Sequence, residues 1–404
     1  MKTVAVICEY NPFHRGHAYQ FDQIRKKYGN DCAILALMSG NYVQRGEPAS
    51  FQKFNRAKAA LLSGANLVLE FPYPFCVSGA NYFARNAIHI LNSLGIVDVL
   101  SFGFDCNDET EIEEIASVIS SASFASAMQT ALMQEESEKI GYAQIRENVL
   151  LTFLPHISSS ILKLPNTILA VEYRSAIALS GSKMKPHFVK RTSHYHADDV
   201  SEDGFASASY IRKLLIDGKI EDARDLLPKE ASAVLFPSNM TSPPIATTEI
   251  LGQVLLAFLR VGQTQPNCFE CNNELLARLK KAAIKANNYD DLIKLAQTKR
   301  YTATRVKRAA LHCLLGTSTQ DGMLDMPAYT QVLASDAIGM ALLKNIKKKS
   351  TISVLTKPAD FHQFVEPAKT QAQCCAKADA LYTVLAPENG FGDTFLRYQP
   401  YFML

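Results

Sequence analysis

No stretch of this 404-residue chain approaches the roughly eighteen uninterrupted apolar residues that a membrane-spanning helix requires. The N-terminal run also lacks the basic, apolar and small-residue order of a secretory signal. Both absences point away from secretion and membrane insertion, so a cytoplasmic protein is expected. The cysteine pattern is equally bare. Nine cysteines are scattered through the chain, and only Cys268 and Cys271 form a CxxC, with no second pair to complete a zinc site. They read as reduced thiols, and no protein-held metal is expected. Internal repeats and low-complexity tracts are missing too, although Lys347-Lys348-Lys349 is a short basic run.

Apolar residues make up 48% of the chain, enough to bury two cores at this length. The net charge of +3 says little, but its distribution says more. Residues 275 to 315 hold ten Lys or Arg against Asp290 and Asp291, a net +8, so the remainder sums to −5. A concentrated positive field suits a polyanionic partner, and equally a solvated helical face.

The first half alternates short, mostly apolar runs with amphipathic segments. Thr3 to Cys8, Cys32 to Met38, Leu67 to Phe71 and Val97 to Phe102 have the length of buried parallel strands. Between them, His17 to Tyr28, Lys53 to Ser63 and Ala80 to Leu94 carry helical spacing. His187 to Lys190 adds a strand and Ser207 to Leu215 a helix. This alternation predicts an α/β fold with a doubly wound parallel sheet. Beyond about residue 225, a Pro-rich turn from Phe236-Pro237-Ser238 to Pro243-Pro244 precedes long helical periodicities. The expected organisation is therefore an α/β domain over 1–225, with a helix-rich insertion at about 106–160, and a second, mainly helical, basic domain over 226–404.

The strongest chemical signal is the run Val4-Ala5-Val6-Ile7-Cys8-Glu9-Tyr10-Asn11-Pro12-Phe13-His14-Arg15-Gly16-His17. A buried strand, a Pro-containing turn and a helix start in that order make a phosphate site: the strand ends at the ligand crevice and the helix aims free N–H groups at an anion. Two imidazoles at the helix mouth can donate hydrogen bonds to phosphates, and Gly16 lets a nucleotide approach the backbone. As a metal pair they would need a third ligand that the neighbouring sequence does not offer.

This arrangement resembles the HxGH motif of the nucleotidyltransferase superfamily. More narrowly, Glu9-Tyr10-Asn11-Pro12-Phe13-His14, Met38-Ser39-Gly40 and Gln44-Arg45-Gly46-Glu47-Pro48-Ala49 resemble the bacterial tRNA(Met) cytidine acetate ligase family. The resemblance continues through Phe102-Gly103, Asn166 to Tyr173, Val189-Lys190-Arg191 and Ala206 to Arg212, and ends at Lys299 to Arg305. It implies a nucleotidyltransferase-like Rossmann fold and an enzyme that makes acetyl-adenylate from acetate and ATP, then acetylates N4 of the wobble cytidine of elongator tRNA(Met). Carried over by position, the ATP site comprises Ile7, Cys8, Glu9, Tyr10, Asn11, Pro12, Phe13, His14, Arg15, Gly16, His17, Ala18, Tyr19 and Gln20, with Gly103, Asn166, Arg191 and Thr192. His14 and His17 are the implied catalytic pair, with Mg²⁺ bridging the phosphates. Ser207, Ser209 and Arg212 are candidate phosphate contacts. Lys299, Arg300, Arg305 and Arg308 are the leading tRNA contacts.

Each assignment has a plainer reading. Gly103 serves as a turn, Asn166 as a helix cap, Arg191 as a strand-end charge and Ser207 as an ordinary N-cap. Tyr301 suits either base stacking or a helical core. Two features depart from the family pattern. Arg15 stands where a smaller polar residue is expected, and Thr192-Ser193-His194-Tyr195-His196 lacks the expected glycines. Two rival functions stay open on sequence: an adenylyltransferase acting on a small phosphate-bearing substrate, and a non-catalytic RNA-binding protein.

Overall fold

The computed structural model describes residues 1–134, 140–191, 200, 204–237, 244–265, 267–318, 322–386 and 399–403. Thr192, His194 and His196 lie outside the described residues.

The first half builds β1 (Thr3–Cys8), α1 (Arg15–Tyr28), β2 (Ala33–Ser39), α2 (Lys53–Leu62), β3 (Leu67–Phe71), α3 (Ala80–Ser93) and β4 (Val99–Phe104). Helices α4 (Glu109–Ile119), α5 (Ala122–Leu132), α6 (Tyr142–Phe153) and α7 (Pro165–Leu179) precede β5 (Lys185–Lys190). These five strands pair in parallel in the order β5-β4-β1-β2-β3. The order reverses at β1, which lies between β2 and β4, and the crevice at the carboxyl ends of β1 and β4 is where such a sheet binds ligands.

Strand alternation sorts the two faces. Val4 and Val6 pack with Phe21 and Ile24 of α1 and Ala57 and Ala60 of α2, whereas Ala5, Leu35 and Leu37 share a core with α3 and α7. The first of these cores also takes α8 (Ala208–Ile216), α9 (Ile220–Asp225) and α10 (Lys229–Leu235).

Helices α11 (Thr248–Val261), α12 (Asn273–Lys285), α13 (Tyr289–Ala296) and α14 (Ala303–Leu315) then pack on one another, and their apolar faces join the core that contains α3 and α7. The sequence-based boundary near residue 225 does not mark the end of the sheet. β6 (Tyr329–Ser335) runs antiparallel to β3, and β7 (Ser353–Leu355) and β8 (Tyr401–Phe402) pair in parallel with β6. β6 escaped the hydropathy pattern because Thr330, Gln331 and Ser335 interrupt its apolar residues, yet all seven positions are buried. Thr330 tolerates burial by donating its hydroxyl to the Glu70 carbonyl at 2.6 Å. Along the chain, helix α15 (Ala337–Lys349) lies between β6 and β7, and α16 (Ala368–Leu385) between β7 and β8.

A buried ionic cluster docks α16 onto the sheet. Lys53 Nζ lies 2.8 Å from Glu70 and 2.7 Å from Asp379, with side chains at most 2% exposed. Asn41 donates to the second Asp379 oxygen at 2.9 Å. Glu70, Cys375 and Asp379 converge closely enough to suggest a cation site, but the Lys53 ammonium already bonds both carboxylates. Burial pushes the Glu70 carboxyl up. The same burial opposes the charge on Lys53, and Asp379 and Glu70 outweigh it and hold the ammonium protonated.

Among the described residues, no single helix is long and apolar enough to cross a membrane.

Candidate functional site

The turn after β1 is held from three sides. Asn11 accepts the Ser50 N–H at 2.8 Å through its side chain, and its carbonyl accepts Arg212 Nη1 at 2.9 Å. Arg56, fully buried in α2, donates to the carbonyls of Phe51, Glu9, Ser39 and Gly40 and thereby ties the ends of β1 and β2 together. Tyr10 adopts φ +46, a conformation that costs a non-glycine residue about 1 kcal/mol or more. Its ring is 1% exposed and meets Phe13 and His17 edge-on, each at 4.8 Å, so packing over-determines the turn. Cys8 and Phe13 are buried beneath it, and burial pushes the Cys8 thiol up, which makes it a wall rather than a nucleophile.

At the mouth of α1 the two histidines do local work first. His14 is the N-cap: its Nδ1 accepts the Gly16 N–H at 3.1 Å. His17 reaches back, and its Nδ1 accepts the His14 N–H at 3.2 Å. The pair forms a reciprocal capping box with the rings stacked 3.8 Å apart. An Nδ1 that accepts carries no proton, so both neutral rings hold theirs on Nε2. Burial drives His14 down to about 3, helped by Arg191 and Arg212, and drives His17 well below its ordinary value, helped by His14 and Arg191. The helix mouth therefore presents two neutral N–H donors, with guanidinium groups near enough to shape their titration.

Asp105, just beyond β4, gathers the distant residues. Its carboxylate accepts Asn166 Nδ2 at 2.8 Å and the Asn166 N–H at 3.2 Å, and pairs with Arg191 Nε at 3.2 Å. Gly103 faces β5, where a Cβ would lie 3.7 Å from the Arg191 side chain. Asn166 and Arg191, far apart in sequence, thus meet at one carboxylate that sequence reasoning did not single out, with Gly103 against the Arg191 side chain.

Some candidate residues are engaged elsewhere. Gln20 donates to Ser101 at 3.2 Å, bracing α1 against β4. Arg15 is exposed and donates to the Asp225 carbonyl at the end of α9 at 2.7 Å, which accounts for a long side chain at that position. Ile7, Gly16, Ala18 and Tyr19 are half-buried, and Tyr19 meets Phe205 edge-on. Ser207 caps α8 by accepting the Tyr210 N–H at 3.0 Å, and Ser209 accepts Arg212 Nη2 at 3.1 Å. Arg212 is the member of that group aimed at the β1 turn.

The basic segment divides by exposure. Lys299 is exposed, and Arg300 pairs with Glu274 at 2.9 Å while remaining accessible. Arg305 lies over the Tyr301 ring at 5.2 Å. Tyr301 is 1% exposed and donates to Glu274 at 2.7 Å, so it belongs to the helical core rather than to a stacking surface. Arg308 departs from its expected role as a surface cation. It is 8% exposed and held by Glu270 at 2.5 Å, because α14 is buried on nearly every side.

Comparison with known proteins bears on this geometry. The HIGH Nucleotidyl Transferase family model matches residues 1–393. A tRNA(Met) cytidine acetate ligase of Acetivibrio thermocellus is 33% identical over 379 residues, covering 91% of both chains. One from Clostridium perfringens is 30% identical over 412 residues, covering 98% of both. The crystal structure of Thermotoga maritima TmcAL bound with alpha-thio ATP superposes over the whole of both chains with a TM-score of 0.87 at 26% identity, and the apo form with 0.88.

Proposed function

Because this chain belongs to the tRNA(Met) cytidine acetate ligase family of HIGH nucleotidyl transferases, we propose that it activates acetate with ATP and acetylates N4 of the wobble cytidine of elongator tRNA(Met). Two steps make up the reaction. An acetate oxygen attacks the α-phosphorus, the bond to the β-phosphate breaks, and pyrophosphate leaves. The cytidine N4 lone pair then attacks the acetyl carbonyl, the bond to AMP breaks, and N4 loses one proton. Neither step needs a covalent enzyme intermediate, so the protein aligns reactants and neutralises charge.

The observation that carries this reading is the histidine pair whose Nδ1 atoms are occupied by backbone N–H groups. Both Nε2–H groups are then free to donate to phosphate oxygens as charge moves toward pyrophosphate. Being neutral, they cost less to desolvate than two cations would. Arg191, oriented by Asp105, and Arg212, oriented by Asn11 and Ser209, supply the positive charge. The loop from Ile7 to Gln20, with Gly103 and Asn166, forms the ATP site in this proposal, Gln20 and Arg15 as its braces.

The donor set fits a Mg²⁺ that arrives with the triphosphate rather than one resident in the protein. Asp105 is committed to Asn166 and Arg191, and a Glu9 oxygen accepts the Gln44 N–H at 2.8 Å. Such an ion neutralises charge on the phosphates.

Residues 1–225 carry the chemistry in this account, and α12 to α14 contact RNA through Lys299, Arg300 and Arg305. The same nucleotide loop would serve adenylyl transfer to a small molecule, and the basic helices favour RNA. A cytoplasmic setting fits a tRNA substrate. Hydroxylamine trapping with acetate, ATP and Mg²⁺ tests the first step: acetyl hydroxamate and pyrophosphate should form together, and ADP in their place contradicts the reading.

A further inference from the structure

The segment Gln44-Arg45-Gly46-Glu47 sits between the nucleotide site and the helical unit. It is a tight turn, closed by Gly46 N–H to Val43 O at 2.9 Å and Val43 N–H to Glu47 O at 3.0 Å. Both flanks are anchored. Toward the nucleotide site, the Gln44 N–H donates to Glu9 at 2.8 Å, and its side chain donates to the Ser78 carbonyl at 2.6 Å. Toward α14, Glu47 pairs with Lys307 at 2.5 Å. Gly46, at φ +83, presses so closely on α14 that a Cβ would lie 2.6 Å from the Arg308 nitrogen.

This scaffolding displays one side chain. Arg45 stands exposed at the tip of the turn. No hydrogen bond or ion pair engages it among the described residues, although Arg212 is close enough for the two guanidinium groups to repel, with Glu9 and Glu47 offsetting that repulsion at Arg212. A rigid turn that holds an exposed, unpaired guanidinium out from the surface makes a place for a phosphate.

Two phosphate sources are at hand, ATP and the RNA backbone. Arg45 is carried on a turn docked on α14, through Gly46 against the Arg308 backbone and Glu47 on Lys307, rather than on the β1 turn that holds His14. We propose that Arg45 binds a backbone phosphate of the RNA next to the acceptor cytidine, linking the basic helices to the adenylate site. This rests on the tRNA reading above and names a contact for it. Glu47, bonded to Lys307, is the residue that positions the turn.

The test is equilibrium binding of tRNA(Met) and of ATP to the full chain as wild type, Arg45→Ala and Arg45→Lys. Arg45→Ala should weaken tRNA binding about tenfold and lower the slope of log K against log salt by about 0.7, the share of one phosphate on a single strand. Arg45→Lys should recover most of both, and ATP affinity should stay within twofold throughout. A change in ATP affinity, alone or with tRNA binding, overturns the proposal in favour of a triphosphate contact. Unchanged binding of both ligands overturns it in favour of a solvated surface side chain. Because binding is read directly, a wild type that binds tRNA but never acetylates it would refute the ligase reading and leave the Arg45 result standing.

Discussion

Replacing His14 separates its two jobs. As N-cap its Nδ1 accepts the Gly16 N–H, and in the proposed reaction it would offer Nε2–H to phosphate. His14→Ala removes both. Losing the cap costs about 1 kcal/mol, and losing one preorganised donor lowers kcat by about 10²–10³, or about 2.7–4 kcal/mol of transition-state stabilisation. His14→Asn keeps an acceptor for Gly16 N–H on a side chain too short to reach the Nε2 position. Acetylation kinetics and thermal melts on both variants check this. His14→Ala should lose rate and melt about 2 °C lower or less, given the size of the chain. His14→Asn should lose comparable rate while melting close to the wild type. The loss should fall on kcat more than on KM, since the donor acts as charge moves. A His14→Asn enzyme within about threefold of wild-type kcat would reduce His14 to a helix cap and refute the reasoning.

Asp105→Asn should release Arg191 and Asn166 and weaken ATP binding about tenfold, a modest figure because the Asp105–Arg191 pair is partly exposed; calorimetric titration showing unchanged affinity would contradict it. Lys53→Met strands Glu70 and Asp379 in the core and should cost about 3–5 kcal/mol in urea unfolding, and a cost below about 1 kcal/mol would mean the cluster is dispensable. Acid sensitivity follows from buried neutral histidines: burial drives His14 down to about 3 and His312, which bonds Tyr73 and the Val77 carbonyl, down to about 4. Their stabilising contribution is whole above about pH 6.5, where the unfolded rings are also neutral, and is lost as pH falls toward 4 for His312 and toward 3 for His14, so melting temperature should drop across that range while a flat profile would contradict it.

What could be read from sequence was contiguous. The strand from Thr3 to Cys8, the turn with Pro12 and the helix carrying His14 and His17 lie within one short run, so periodicity and residue type exposed them together. That β1 to β5 pair in parallel followed from the same alternation, whereas their order did not. Asp105 was invisible because its importance arises only when β4 pairs with β5 and α7 packs beside them, bringing Arg191 and Asn166 to one carboxylate. The burial of Arg308 was hidden because a count of charges does not reveal which face of a helix is buried, and Glu270, its partner, lies 38 residues away. β6 hid behind Thr330 and Gln331, polar side chains that a fully buried strand accepts once hydrogen-bond partners exist. The capping duty of the two histidines was equally hidden, since residue type does not fix which ring nitrogen faces the backbone.

Passage of acetate to RNA through ATP at the histidine pair can be followed with label. Radiolabelled acetate, ATP, Mg²⁺ and total tRNA should yield acid-stable label in elongator tRNA(Met) alone, at the wobble cytidine, with wild-type protein and almost none with His14→Ala or His17→Ala. ATP binding without label in any tRNA would contradict the account and favour adenylyl transfer to a small molecule.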